Sequence, residues 1–125
     1  MNKKVVYIAG PITGVENYWE SFEEAEEQVT GLGYIALTPS RLPKGMDNAQ
    51  YMRICFAMID SADAVVFLPN LYQSRGATVE HAYCEYTGKP TCYYKNGARN
   101  LLDRNTYPDE VALAWLKHDL EEALK

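Results

Sequence analysis

The sequence predicts an α/β protein in which helices cover both faces of a parallel β-sheet. Short apolar runs alternate with amphipathic segments in the order β-α-β-α-β-α-β-α, which is typical of parallel strands joined by right-handed crossovers. The run from Ala64 to Leu68 is apolar throughout, as expected for a strand that is covered on both faces. With 125 residues, of which 47 % are apolar, the chain is predicted to form a single domain over residues 1–125.

The first three elements have clear signals. The stretch from Val5 to Ala9 is short, β-branched and aromatic and ends at Gly-Pro, so it is a predicted strand. From Tyr18 to Leu32, apolar residues recur every three or four positions between glutamates, which is typical of an amphipathic helix. The run from Tyr34 to Leu37 is a second predicted strand that Pro39 stops.

The remaining elements continue the alternation. They are a helix around 51–59, a strand over 64–68, a helix that ends near Gly88, a strand over 91–94 and a helix that starts at Pro108. Proline at a first helical position needs no hydrogen bond, and two acids follow it in the first turn, so this helix start is well specified. Residues 95–106 are polar and are predicted to be irregular.

Composition and charge narrow the range of partners. The net charge is −5 and no cluster of lysine and arginine stands out, which argues against nucleic acid as the main partner. No run approaches the roughly 18 apolar residues of a membrane span. Pro11 interrupts the N-terminal apolar stretch, so neither a membrane anchor nor a signal peptide is predicted. Three cysteines without a CxxC pair favour a reducing cytoplasm and argue against a structural metal site.

Three loops follow the carboxyl ends of the predicted strands, where ligands of such sheets bind. They are AGPITG, TPSRLPKG and PNLYQSRGATVE. The first loop has neither the dinucleotide nor the Walker pattern. Gly10 and Gly14 allow a ligand to approach the backbone and Thr13 adds a hydroxyl, although the loop taken alone is most simply a plain strand-to-helix turn.

The third loop leads into a helix with an acid near its start. Ser74 or Thr78 is a candidate cap for this helix, and the backbone N–H groups there attract an anion. Glu80 has two interpretations. It is either an acid at the helix end that helices favour, or a carboxylate that faces the cleft as a nucleophile or base. Taken alone, the residue favours the first.

Three segments together resemble one protein family. YIAGPITG, SADAVVFLP, and S-x-G-x-x-x-E followed by HAYCEYTGKP are similar to the nucleoside 2-deoxyribosyltransferase superfamily, in particular to a small and often phage-borne branch and to deoxynucleoside monophosphate N-glycosidases. The resemblance runs from about Val5 to Thr91. It implies a flavodoxin-like or Rossmann-like three-layer sandwich with four or five parallel strands and a site at the strand ends.

The resemblance also implies residue roles. Glu80 is expected to attack the anomeric carbon of the nucleoside, and Tyr7 to hydrogen-bond this nucleophile. Ser74 is expected to contact a 5′-phosphate. Ile12, Thr13 and Gly14 match the first substrate-binding loop of the family.

Five further residues complete the predicted substrate contacts, which are Gly10, Trp19, Asp63, Arg75 and Gly76. Trp19 lies off the apolar stripe of its helix, which makes it a candidate to stack on the base. Arg75 either meets a phosphate or points to solvent. Asp63 is ambiguous, because it is also placed to cap backbone N–H groups where the helix meets the strand, and this is the favoured interpretation. His81 and Tyr93 are interpreted as structural.

One position departs from the family pattern. Many members have an aspartate on the helix before the third strand, and that position is Cys55 here. The first hypothesis is therefore an enzyme that cleaves or transfers the N-glycosidic bond of a nucleoside or nucleotide, without a metal or other cofactor. The alternatives are a protein that binds such a molecule without turnover and, less favoured, a scaffold subunit. A homo-oligomer, dimer or tetramer, is also expected, with Asn96, Arg99 or Asn100 completing a neighbour's site.

Overall fold

The computed structural model describes residues 3–12, 18–94 and 109–125. Within these ranges four strands alternate with four α-helices: β1 (Val5–Ala9), α1 (Tyr18–Gly31), β2 (Ile35–Leu37), α2 (Asn48–Ser61), β3 (Ala64–Phe67), α3 (Arg75–Thr87), β4 (Thr91–Tyr93) and α4 (Asp109–Ala123). The predicted order is confirmed, and the bounds of β2, β3 and β4 each differ from the prediction by one residue. The stretch 95–106, which the sequence predicts to be irregular, and Pro108 lie outside the described residues.

The four described strands form one parallel sheet in the order β2-β1-β3-β4. Val6 of β1 pairs with Ala64 of β3, and Val66 of β3 pairs with Cys92 of β4. After β1 the chain continues to β2 at one edge of the sheet, and after β3 it continues to β4 at the opposite edge. The carboxyl ends of β1 and β3 therefore form the switch point where ligands of doubly wound sheets bind.

Side chains alternate between the two faces of the sheet along each strand, and helices cover both of these faces. On one face, α1 and α4 pack on Val6, Ile8 and Val66. On the other face, α2 and α3 pack on Tyr7 and Val65. This gives the predicted three-layer α/β arrangement. Over the parts of the chain that the structure describes, no helix has the combination of length and apolar composition that crossing a membrane requires.

Side-chain hydrogen bonds cap the N-termini of α2 and α3, the two helices that pack on the face of the sheet to which Tyr7 points. Asp47 and Gln50 form a capping box at α2, in which Asp47 Oδ1 accepts from the Gln50 backbone N–H at 2.8 Å and Gln50 Oε1 accepts from the Asp47 N–H at 2.9 Å. At α3, Ser74 Oγ accepts from the Ala77 N–H at 3.3 Å. Because α3 starts at Arg75, Glu80 lies in its second turn and faces the sheet.

Candidate active site

A buried hydrogen bond joins the first strand to the third helix. Tyr7 Oη donates to Glu80 Oε2 at 2.5 Å, although 73 positions separate the two residues in the sequence. Tyr7 has no exposed surface, and Glu80 is only 5 % exposed. The structure thus contains the contact that the resemblance implied, whereas the catalytic roles of the two residues stay a prediction.

Burial sets the protonation behaviour of this pair. Removal from water raises the pKa of Glu80 to about 7, while the hydrogen bond from Tyr7 opposes that rise because it favours the ionised form. Burial, and next the charge of Glu80, raise the pKa of Tyr7 far above its usual range, so the phenol keeps its proton and remains a donor. Near neutral pH, the Glu80 carboxyl is therefore able either to give or to accept a proton.

Two thiols lie beside this carboxyl. Cys55 of α2 is buried in the same core as Tyr7, and Cys84 is four residues after Glu80 on α3. Burial, and next the charge of Glu80, raise the pKa of each thiol to about 11. Both are thus neutral at pH 7. Among the residues that the structure describes, no three His, Cys, Asp or Glu side chains are grouped to hold a metal ion.

The start of α3 places Ser74 and its neighbours near the switch point. The Ser74 hydroxyl accepts the Ala77 N–H as a helix cap, and a hydroxyl that accepts in this way still has a proton to donate. Arg75 is exposed. A Cβ added to Gly76 would meet Met52 Sδ and Ser74 Oγ at 3.8 Å, which is ordinary contact, so packing alone does not require glycine there.

The loop after β1 has a packing role that the sequence did not reveal. A Cβ added to Gly10 would lie 2.9 Å from side-chain atoms of Leu68, so glycine lets the ends of β1 and β3 approach each other. The side chain of Ile12 packs on the core between the sheet and the α1–α4 layer, which is the face opposite Tyr7. It is partly buried there, and its substrate contact stays a prediction. Thr13 and Gly14 lie outside the described residues.

Asp63 and Trp19, two other predicted substrate contacts, do not lie beside the Tyr7–Glu80 pair. Asp63 Oδ2 accepts from the Val5 N–H at 2.8 Å, and both residues lie at the amino ends of their strands, on the edge of the sheet away from the switch point. The capping interpretation of Asp63 is confirmed, and its predicted substrate contact is corrected. Trp19 is 43 % exposed on α1, which packs on the face opposite Tyr7.

An aromatic cavity lies beside the candidate site. It has a volume of about 390 Å³ and lies at the carboxyl ends of β3 and β4, where Phe67, Tyr72 and Tyr93 are among its lining residues. Neither Tyr7 nor Glu80 is among its described lining residues. Sequence reasoning did not predict this cavity. The signal that could have predicted it is that one tyrosine follows β3 and another ends β4, and these two parallel strands are neighbours.

Comparison with known proteins identifies the fold. The family described as "Domain of unknown function (DUF4406)" matches residues 4–93. The solved 2-deoxyribosyltransferase of Bacillus psychrosaccharolyticus is similar with a TM-score of 0.59 and 19 % identity, over 86 % of this chain and 95 % of that chain. The 2-deoxyribosyltransferase of Leishmania mexicana has a TM-score of 0.59 and 19 % identity, over 92 % of this chain and 97 % of that chain. No curated protein matches the sequence. At these identities the likeness shows the fold, which is that of the nucleoside 2-deoxyribosyltransferases, as the resemblance implied.

Proposed function

This chain belongs to the family of domains of unknown function that matches residues 4–93, and we propose that it cleaves or transfers the N-glycosidic bond of a nucleoside or nucleoside 5′-monophosphate. The observation that carries the proposal is the buried hydrogen bond from Tyr7 to Glu80 on the two elements that flank the switch point. The names of the two solved enzymes with this fold, both 2-deoxyribosyltransferases, support the same reaction class.

The reaction uses the carboxylate of Glu80 as nucleophile. One oxygen forms an ester with the anomeric carbon, the C–N bond breaks, and its electron pair leaves on the base nitrogen, which takes up a proton. Attack on the ester by water completes hydrolysis, and attack by a second base completes transfer; either step returns the carboxylate. Tyr7 holds Oε2 in place, so we assign the attack to the other carboxylate oxygen.

The start of α3 favours a phosphorylated substrate. Ser74 keeps a hydroxyl proton for a phosphate oxygen while it caps the helix. The unpaired N–H groups of a helix N-terminus attract negative charge, and the exposed Arg75 is the first residue of the helix. These groups fit the 5′-phosphate of a nucleoside monophosphate.

A second candidate function is binding without turnover. The observation that favours it is Cys55, whose neutral thiol lies beside Tyr7 and Glu80 at the position where many members of the resembling superfamily have an aspartate. A neutral thiol is a far weaker acid than a carboxyl group. In that case the same groups hold a nucleotide and the C–N bond stays intact.

Base release separates the two functions. The protein is incubated with a panel of nucleosides and nucleoside monophosphates, and free base is measured by chromatography. For an enzyme, release disappears in Glu80→Ala and persists in Glu27→Ala, a matched change of an exposed glutamate on α1. Binding without release, which survives Glu80→Gln, identifies the binding protein. Neither release nor binding with any member of the panel overturns both.

We further propose that the chain acts in the cytoplasm as a homo-oligomer, a dimer or a tetramer. The location follows from three buried cysteines that are all free, which a reducing compartment preserves. The predicted donors to a neighbour's site, Asn96, Arg99 and Asn100, lie outside the described residues. Sedimentation that finds only monomer at the concentration of the activity assay overturns the oligomer.

A further inference from the structure

The aromatic cavity at the ends of β3 and β4 has the size of a ligand site. Its volume is about 390 Å³, and small-molecule sites span roughly 300–1,000 Å³. Four of its described lining residues are aromatic, and of these Tyr72 and Tyr93 are exposed whereas Phe67 and Tyr94 are buried. Asn70 and Gln73 add amide side chains. This composition, apolar faces with a few polar groups, is usual for sites that bind small organic molecules.

His81 contacts the aromatic residues of the cavity from the protein interior. This buried imidazole packs edge-on against the rings of Phe67 and Tyr72, with 5.0 Å and 5.6 Å between ring centroids. Its Nε2 lies 2.7 Å from the hydroxyl of Tyr93, and the Tyr93 ring stacks on Phe67 at 6.1 Å. Side chains that are already fixed lose little further entropy when a ligand binds.

Two of these rings leave much of their surface in water. Tyr72 is 70 % exposed and Tyr93 is 43 % exposed. Both line the same cavity, so their exposed surfaces lie together instead of being scattered. Grouped exposure of this kind marks interaction sites, whereas isolated exposed apolar residues need no explanation.

The chemistry of the lining selects the class of ligand. None of the described lining residues has a charged side chain, which disfavours a phosphate or another ion. Aromatic faces stack on flat rings, and amides both donate and accept hydrogen bonds at a ring edge. We propose that this cavity binds a flat, uncharged heteroaromatic ring as a site separate from Tyr7 and Glu80. Binding there does not depend on the proposed glycosidic chemistry.

Adenine is the probe for this site, because it is flat, uncharged and has hydrogen-bonding edges. Its binding to the full chain is measured by calorimetry and by saturation-transfer NMR. Tyr72→Ala is expected to weaken binding roughly ten-fold or more, since stacking of one base on an aromatic side chain contributes on that scale. Tyr72→Phe keeps the ring and is expected to bind like the original protein.

Matched controls exclude general damage and the neighbouring site. Tyr86→Ala removes another tyrosine, which is 93 % exposed on α3 and does not line the cavity, and it is expected to leave adenine binding unchanged. Glu80→Gln tests whether adenine instead occupies the proposed catalytic pair, to which the transfer reaction would also bring a free base. Cyclohexanol, which has a similar size but no flat face, is expected to bind at least ten-fold more weakly, by the roughly 1–3 kcal/mol of stacking that it lacks.

Four outcomes overturn the proposal. The first is no adenine binding, and the second is equal binding of cyclohexanol, which makes the cavity merely apolar. The third is adenine binding that Glu80→Gln abolishes and Tyr72→Ala does not, which moves the ligand to the proposed catalytic pair. The fourth is self-association that Tyr72→Ala abolishes, which assigns the exposed rings to a contact between copies of the chain. The first, second and fourth leave the proposed function standing, because it rests on Tyr7 and Glu80.

Discussion

The phenol of Tyr7 on β1 lies 2.5 Å from the carboxylate of Glu80 on α3, and both side chains are withdrawn from water. The hydrogen-bond partner of this buried acid is thus a neutral donor and not a cation. A neutral donor orients a carboxylate without neutralising it, so the acid retains a raised pKa of about 7. A buried acid whose pKa is shifted in this way, at the switch point of the sheet, is a candidate for chemistry.

Base release should depend on the ionisation of Glu80. As a nucleophile the group reacts only as the carboxylate, so kcat/KM falls as the pH drops below its pKa of about 7. The hydrogen bond from Tyr7 lowers that pKa, so Tyr7→Phe moves the acid limb to higher pH. A pH–rate profile that stays flat from about pH 5 to about pH 8 contradicts this role for Glu80.

The same ionisation should affect stability in the opposite sense. The pKa of Glu80 rises from 4.5 to about 7 on folding, so the folded state binds the extra proton between these values and stability falls as the pH increases through them. The loss totals about 3 kcal/mol on an order-of-magnitude scale. Glu80→Gln carries no charge and escapes this loss, so its free energy of unfolding exceeds that of the original protein above neutral pH.

Urea unfolding at several pH values measures this difference between Glu80→Gln and the original protein. The difference is expected to shrink as the pH falls and to vanish below about 4.5, the pKa of Glu80 in the unfolded state, because Glu80 is then protonated in both states. Glu27→Gln, at an exposed position on α1, serves as the matched control and should show no such trend. A pH-independent difference for Glu80→Gln would mean that Glu80 is not buried as an acid.

Cys55→Asp should reveal whether a carboxyl is the missing partner. The new carboxyl lies beside Tyr7 and beside the Glu80 carboxyl, whose pKa is already raised. The two carboxyls therefore compete for one proton, and the variant loses about 1–3 kcal/mol of stability near neutral pH. If the site lacks only an acid, base release per folded molecule increases. Cys55→Asn has a similar shape without the charge and should not increase it. Equal release from both variants assigns the effect to shape.

The sequence predicted the two central strands, β1 and β3, well because they are covered on both faces. The apolar runs at Val5–Ala9 and Ala64–Phe67 have β-branched composition and sharp ends, and the alternation of elements then fixes a parallel sheet. The contact of Tyr7 with Glu80 follows from the resemblance alone, since no periodic pattern relates side chains that are 73 positions apart.

Other features were beyond the sequence because they depend on which face and edge each element presents. The sequence predicted that Asp63 caps backbone N–H groups, but only the pairing of β1 with β3 identifies Val5 N–H as its partner. Similarly, helical spacing separates His81 from Glu80 but does not show that His81 meets Tyr72 and Tyr93. Pairwise contacts across elements require the packed fold.

Gly10→Ala should destabilise the fold through a clash at the strand ends. The added Cβ would lie 2.9 Å from Leu68, and relief of such overpacking typically costs about 1–3 kcal/mol. Gly31→Ala is the matched control, because a Cβ there meets nothing within 4 Å at the end of α1. Urea unfolding should show a loss for the first variant and no loss for the second. Equal stability of both variants would contradict the close approach of β1 and β3.

Ser74→Asp tests the phosphate position, because aspartate keeps the helix cap while its charge repels an anion. Serine, asparagine and aspartate are all good caps, so folding should be preserved, and Ser74→Asn provides the cap without the charge. Like-charge repulsion should weaken binding of a nucleoside monophosphate more than roughly ten-fold in Ser74→Asp and leave the unphosphorylated nucleoside unaffected. Calorimetry with both ligands measures the contrast. Because Ser74 caps the N-terminus of α3 beside Ala77, unchanged monophosphate affinity in Ser74→Asp would mean that the phosphate lies away from this helix.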